Sequence, residues 1–304
     1  MAIVAADRRL NDLVDPDAKP EQIATGYNFT EGPVWASSSK NLTFSDVRGD
    51  TMYRWTEAEG ATVFRRPSQG SNGNTYDRRG RLVTCEHAGR RVSRTAADGS
   101  IETVASHYQG NRLNSPNDVV VTAGGDVIFT DPPYGLRQPD GSIVGQEVPF
   151  NGVYRVPANG SEITVLADDF ERPNGLVLTA GESHLLIADT AREHVRVFEL
   201  TPGGALTNDR IFVDRFEGRT ASGSPARPDG MKLDSLGNLY IAANTSEGVW
   251  VFDSAGEYLG TIGLDETPAN LAWGGDDWRT LFITATTSVY RLQMKVAGQP
   301  VLLG

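Results

Sequence analysis

Six short polar segments punctuate this chain of 304 residues: Glu31-Gly32-Pro33, Gly73-Asn74, Pro116-Asn117, Pro173-Asn174-Gly175, Pro228-Asp229-Gly230 and Pro268-Ala269. Five of them carry a carboxylate or an amide: Glu31, Asn74, Asn117, Asn174 and Asp229. None carries Cys or His. Oxygen donors of this kind suit a hard divalent cation, Ca²⁺ above all, with Mg²⁺, Mn²⁺ or Zn²⁺ as alternatives. Without a cation, two such carboxylates facing each other in a partly dry site would repel. Pro-Asn, Pro-Asp and Asn-Gly are also ordinary turn dipeptides, so each segment taken alone reads as a turn. Their recurrence in one register is what points to a shared site, and Ala269 breaks the pattern.

Other chemistries find little support. There is no Gly-x-Ser-x-Gly elbow for an acyl-enzyme route. The single Cys85 sits in an apolar, strand-like run and reads as inert, and it excludes a disulfide framework or a Cys-rich zinc site. Of the four His, His184 and His194 read as turn residues, whereas His87 in CEHAGRRV could face substrate or serve structure. A net charge of −11 argues against a nucleic-acid partner. No apolar run approaches the ~20 residues of a membrane span. In MAIVAADRRLNDLVD the charges follow a very short apolar stretch, the wrong order for a secretory signal, so a cytoplasmic location is expected.

The elements that must position these residues repeat. NLTFSD, RLVTCE, DVIFTD, HLLIAD, NLYIAA and TLFITA are strand-like; aligned on Leu42, Leu82, Val127, Leu185, Leu239 and Leu281 they recur at steps of 40, 45, 58, 54 and 42. Each follows one of the polar segments and an apolar run, across turn residues such as Ala123-Gly124-Gly125. A third strand-like run follows in every unit and a fourth in most. Four antiparallel strands cannot bury their faces alone, but six such units packed radially can. The expected fold is therefore all-β, a six-bladed β-propeller with four-stranded blades around a central metal-binding channel. It forms one domain over 1–304, with 1–20 as an N-terminal extension holding a short helix near 6–14. The first strand of each blade lines the channel, so the polar segments converge on one mouth. Strand 21–25 is expected to close the ring in the last blade, with 301–303 as the alternative. Two insertions, 132–151 and 216–227, interrupt the repeat as lids or as surface loops. Trp35, Trp250 and Trp273 read as packing between blades.

FTEGPVW at 29–35, NSPNDVVV at 114–121, FTDPPYG at 129–135, RPNGLVL at 172–178 and RPDGMKLDSLGNLYIA at 227–242 strongly resemble the gluconolactonase and regucalcin family, specifically its bacterial gluconolactonase branch. The resemblance runs from about Gly26 to Leu292 and implies a six-bladed lactonase with one divalent metal in the channel. It implies Glu31, Asn174 and Asp229 as metal ligands and Asp229 as general base. Asn117 matches a channel Asn that contacts metal or substrate. The regucalcin branch places a substrate-binding Arg two residues before that Asn; here the position is Ser115, with Arg112 and Asn114 nearby. Tyr134, in the first insertion, is the candidate cover for a polyhydroxy substrate, and His87 is a further substrate-side candidate.

The implied reaction is hydrolysis of a sugar lactone such as glucono-1,5-lactone. A divalent metal would polarise the carbonyl and a water would attack it. Asp131, which ends the strand after Asn117, is the alternative base to Asp229. Rival readings are an aryl esterase or phosphotriesterase, and a scaffold whose metal merely ties the blades together. The expected partner is a small-molecule lactone, and the protein is a monomer or a homodimer.

Overall fold

The computed structural model describes residues 2–214, 227–244 and 248–301. Six antiparallel sheets of four or five strands follow one another along the chain, most strands pairing with their neighbours in sequence, beside one two-stranded hairpin. Their first strands are Thr30–Ala36, Ser71–Tyr76, Val119–Val121, Pro173–Leu178, Arg227–Leu233 and Pro268–Gly274. Each packs against the first strand of the next sheet, and the last packs against the first, so the six close into a ring. The fold is a six-bladed β-propeller. Strand Glu21–Thr25 pairs with Ser288–Gln293 and closes the sixth blade, as expected from sequence. Residues 302 and 303 of the alternative closing strand lie outside the described residues.

The apolar faces meet between blades. Tyr240 and Val249 of the fifth blade pack with Leu271, Trp273 and Leu281 of the sixth, and Val177 and Leu186 of the fourth with Met231, Ile241 and Trp250 of the fifth. Trp35 stacks on Phe282 with ring centroids 5.3 Å apart, joining the first and sixth blades. The three Trp residues 35, 250 and 273 therefore serve packing. The N-terminal extension does more than the sequence suggested. Ile3–Ala5 adds a fifth strand to the fifth blade. The short helix Leu10–Leu13 then plugs Leu10, Leu13 and Val14 into the adjoining core. Most of the second insertion, 216–226, lies outside the described residues.

The ring is tight where the polar segments sit. A Cβ on Gly32 would lie 1.9 Å from the Asn72 carbonyl oxygen, on Gly73 2.5 Å from that of Asn117, on Gly175 2.2 Å from that of Asp229, and on Gly230 2.1 Å from the Asn270 side chain. Each glycine lets one first strand approach the next. The opposing atoms are mostly backbone and cannot yield cheaply, so Gly175→Ala should destabilise the fold by ~1–3 kcal/mol. Urea unfolding would check this: an unchanged midpoint would mean that the blades can spread at no cost.

Candidate functional site

Pairing in five of the six first strands shifts register where the polar segment sits: at Glu31/Val34, Ser71/Asn74, Pro173/Leu176, Pro228/Met231 and Pro268/Asn270. Such irregularities re-aim a side chain out of the ladder. Here they turn Glu31, Asn72, Asn174 and Asp229 into one cavity of ≈ 630 Å³ at a channel mouth, together with Asn117, which precedes the short third first strand. His87, Tyr134 and Asn244 also line it.

The second blade corrects the sequence reading. Asn74 is turned away, donating to the Gly32 carbonyl at 2.8 Å and to Ser45 Oγ at 3.0 Å. Asn72, two residues earlier, takes the place in the cavity. The signal was present, because Asn72-Gly73 matches Asn174-Gly175 and Asp229-Gly230. Aligned this way, the residue after each polar pivot is Gly32, Gly73, Asp118, Gly175, Gly230 or Asn270. The two that are not glycine are the missed supports. Asn270 donates to Glu31 Oε2 at 3.1 Å. Asp118 is buried behind the floor, accepts from its neighbour Val119 N–H at 2.9 Å, and lies within the field of Lys232.

The floor is a chain of amides between two acids. Asn72 Nδ2 donates to Asn117 Oδ1 at 3.0 Å, and Asn117 Nδ2 donates to Asn174 Oδ1 at 2.6 Å. Asn174 Nδ2 donates to Thr190 Oγ1 at 2.9 Å and lies 3.4 Å from the Tyr134 hydroxyl. His87 Nε2 lies 3.0 Å from Asn72 Nδ2 and 3.1 Å from Asn117 Oδ1. Burial lowers its pKa to about 4, so at neutral pH the ring is uncharged. Asp229 Oδ2 accepts from Asn244 at 3.2 Å, and Glu31 Oε2 from the Gly32 N–H at 2.9 Å. Among the described residues, neither acid pairs with an Arg or Lys. Burial raises the Asp229 pKa to about 7, and the buried charge of nearby Asp118 adds to the rise. Burial first, and the Asp229 charge second, hold the Glu31 carboxyl well above the ordinary carboxylate range. Two acids without cationic partners beside amide oxygens form a donor set that a hard divalent cation fits. Among the described residues no three His, Cys, Asp or Glu side chains cluster as a metal site, so the amides must complete it.

Three candidates stand outside the cavity. Arg112 is exposed in a hairpin, its N–H on Glu147 at 2.8 Å and its guanidinium on the Gly89 carbonyl at 3.4 Å. Asn114 is fully buried and donates to the carbonyls of Asp131 at 3.1 Å and Phe150 at 2.9 Å. Asp131 accepts the Asn114 N–H at 2.7 Å and does not line this cavity. These two tie the loop before Asn117 to the start of the first insertion. Ser115 extends the tie, donating to the Pro132 carbonyl at 2.6 Å and accepting the Gly135 N–H at 2.8 Å. The insertion thereby brings the 3₁₀ turn Tyr134–Leu136 to the cavity, with Tyr134 on its wall. The arginines at the mouth are Arg48, Arg137, Arg172 and Arg227. Arg172 and Arg227 stand two residues before Asn174 and Asp229, in the Arg-Pro-(Asn/Asp)-Gly repeat.

Asp131 gives a separable prediction. Burial raises its pKa to about 7 from 3.8. The unfolded chain therefore releases this proton first, and stability falls as pH rises between those values, by on the order of 4 kcal/mol at most. Asp131→Asn keeps an acceptor for Asn114 and removes that cost. We expect near-normal turnover and a flatter stability profile between about pH 4 and pH 7. Catalysis falling by ~10²-fold or more, the loss of a general base, would return Asp131 to the chemistry.

Comparison with known proteins adds to this geometry. The family model for the SMP-30/gluconolactonase/LRE-like region matches residues 29–287. The chain belongs to this family. A gluconolactonase of Zymomonas mobilis is 32% identical over 307 residues, covering 95% of this chain and 85% of that protein. The pentonolactonase XacC of Haloferax volcanii is 25% identical, covering 91% of this chain and 95% of its own. Among solved structures, the gluconolactonase XC5397 of Xanthomonas campestris superposes with a TM-score of 0.87 at 32% identity, over 97% of this chain and 95% of that one. Within the matched region lie all the cavity's pivots, from Glu31 to Asp229. Among the described residues, no helix is long and apolar enough to cross a membrane.

Proposed function

We propose that the protein hydrolyses a sugar lactone to its aldonic acid with the help of one divalent cation, held by Glu31, Asn117, Asn174 and Asp229. Ca²⁺ is the first choice, with Mg²⁺, Mn²⁺ and Zn²⁺ behind it. The observation that carries this reading is the pair of buried acids, Glu31 and Asp229, without cationic partners on the floor of a polar cavity. The lactonase relatives support the same reaction class. When bound, such a cation supplies Lewis acidity to the lactone carbonyl.

The chain's own groups supply the rest. Among the described residues the cavity offers no Ser or Cys nucleophile, and its Thr190 hydroxyl is occupied, donating to the Pro228 carbonyl at 2.7 Å. Water is therefore the nucleophile. Asp229 accepts its proton as the oxygen adds to the carbonyl carbon, then returns it to the ring oxygen as the ring C–O bond breaks. Burial holds the Asp229 carboxyl high and a bound cation would draw it down, so near neutral pH the carboxylate is available to accept the proton. The Asn72–Asn117–Asn174 chain offers the substrate's hydroxyls donors and acceptors already fixed in place. Neutral His87 buttresses it, and Tyr134 excludes water from one side.

The test is base uptake at constant pH with glucono-1,5-lactone and a pentonolactone, before and after chelation and on adding cations back. Hydrolysis that disappears with chelator and returns with Ca²⁺ is the expected result. No cation-dependent hydrolysis of any lactone or aryl ester would leave the cation a staple between blades.

A further inference from the structure

The mouth of the cavity carries a charge that a neutral sugar lactone does not need. The protein as a whole has a net charge of −11. Yet four guanidiniums, those of Arg48, Arg137, Arg172 and Arg227, come from four separate places in the fold to line this one cavity. Among the described residues, the only acids on its wall are Glu31 and Asp229, both on the floor. Arg227 has a loose partner in Glu193, 3.7 Å away. Among the described residues, Arg48, Arg137 and Arg172 have no acidic partner at all. Some arginines elsewhere are paired: Arg65 and Arg91 both reach Glu86, and Arg196 reaches Asp169 and Asp209. Arg48 is instead held over the Phe29 ring, 5.1 Å from its centroid, which orients the guanidinium without neutralising it.

We propose that the natural substrate is a lactone bearing a second, anionic group, a phosphate or a carboxylate, which Arg48, Arg137 and Arg172 receive at the mouth while the ring lies over the amide floor. This rests on the lactone reading above. Guanidinium forks match oxyanion geometry, and their bonds to anions are about twice as strong as neutral ones. A positive rim on an acidic protein also steers an anion inward and leaves a neutral lactone unassisted. The bond chemistry is unchanged: water adds, the ring C–O bond breaks, and the anionic group passes through untouched.

The experiment compares kcat/KM for glucono-1,5-lactone, 6-phosphoglucono-1,5-lactone and a glucaric acid lactone, for wild type and Arg48→Ala/Arg137→Ala, at low and high salt. In parallel, calorimetry measures binding of the neutral polyol glucitol, of glucitol 6-phosphate and of gluconate to both proteins. We expect one or both anionic lactones to be favoured by ~10-fold or more at low salt, falling with ionic strength. The double substitution should collapse that preference, and the binding titrations should follow the same order. Phosphate and carboxylate are told apart by which arm carries the preference. Neutral and anionic ligands treated alike, or a preference that survives the double substitution, would overturn the proposal. Should no lactone turn over, the lactone reading fails by itself, and the binding order still decides whether the rim selects anions.

Discussion

Asp229→Asn is expected to lower lactone turnover by ~10²–10⁴-fold at saturating cation, the range for loss of a general base. The substitution is nearly isosteric, and its side-chain oxygen can still accept from Asn244, now 3.2 Å from Asp229 Oδ2. Glu31, Asn117 and Asn174 remain to hold a cation, so turnover and cation content can be read separately. Chelated protein titrated with Ca²⁺, with metal analysis at each point, distinguishes a variant that is slow from one that is empty. Turnover within a few-fold of wild type at full occupancy would remove Asp229 from the proton exchange. A second readout sharpens the result. The wild-type pH profile should show an acidic limb from the Asp229 carboxyl, and that limb should vanish with the residue.

The repeat made the fold legible before any coordinates. Six apolar runs ending alike, with turn residues between them, leave few options but a propeller, and the closing strand Glu21–Thr25 followed from the missing fourth strand of the last unit. The site was legible to the extent that it shares the repeat: Glu31, Asn117, Asn174 and Asp229 all line the cavity. Asn74 was misplaced because bulged pairing changes which residue faces the axis, and a strand register cannot be read to one residue where it slips. The Gly that follows four of the six pivots would have fixed it, because a Cβ at each would lie within 2.5 Å of the next blade. Arg48 and Arg137 were invisible for another reason. They sit on loops, outside the repeat, and only the folded chain brings them to the mouth. Arg112 fails in the reverse way. It is near Asn117 in sequence, but the hairpin His107–Tyr108 and Asn111–Arg112 carries it to the outer surface.

Glu31→Gln should make the chelated protein more stable while making it nearly indifferent to cations. Glu31 is buried and accepts only from the Gly32 N–H and the Asn270 amide, both of which a Gln oxygen can also satisfy. What Gln cannot reproduce is the charge. Burial and the Asp229 charge hold the Glu31 carboxyl well above its ordinary range. The sign follows from that rise. Above about pH 4.5 the unfolded chain ionises this group and the folded chain resists, so the chelated wild type loses stability as pH climbs. Asp229 behaves likewise between 3.8 and about 7. The Asp229 shift of about three pH units costs on the order of 4 kcal/mol once complete, and the Glu31 shift adds a cost of the same sign. Removing one charge of the pair also relieves the other. At pH 8 with chelator, the variant should melt several degrees higher than wild type, since chains of this size or a little smaller gain ~2–4 °C per kcal/mol. At pH 5 the gap should narrow, because the raised carboxyls are then more fully protonated in the folded wild type and less charge is left to relieve. Adding Ca²⁺ should raise the wild-type melting temperature steeply and the variant's little, since binding stabilises only what it binds. Scanning calorimetry at the two pH values, with and without Ca²⁺, provides all four comparisons. A chelated variant that melts below chelated wild type at pH 8 would mean that the Glu31 charge is already compensated within the fold, and the case for a cation between the two acids would go with it.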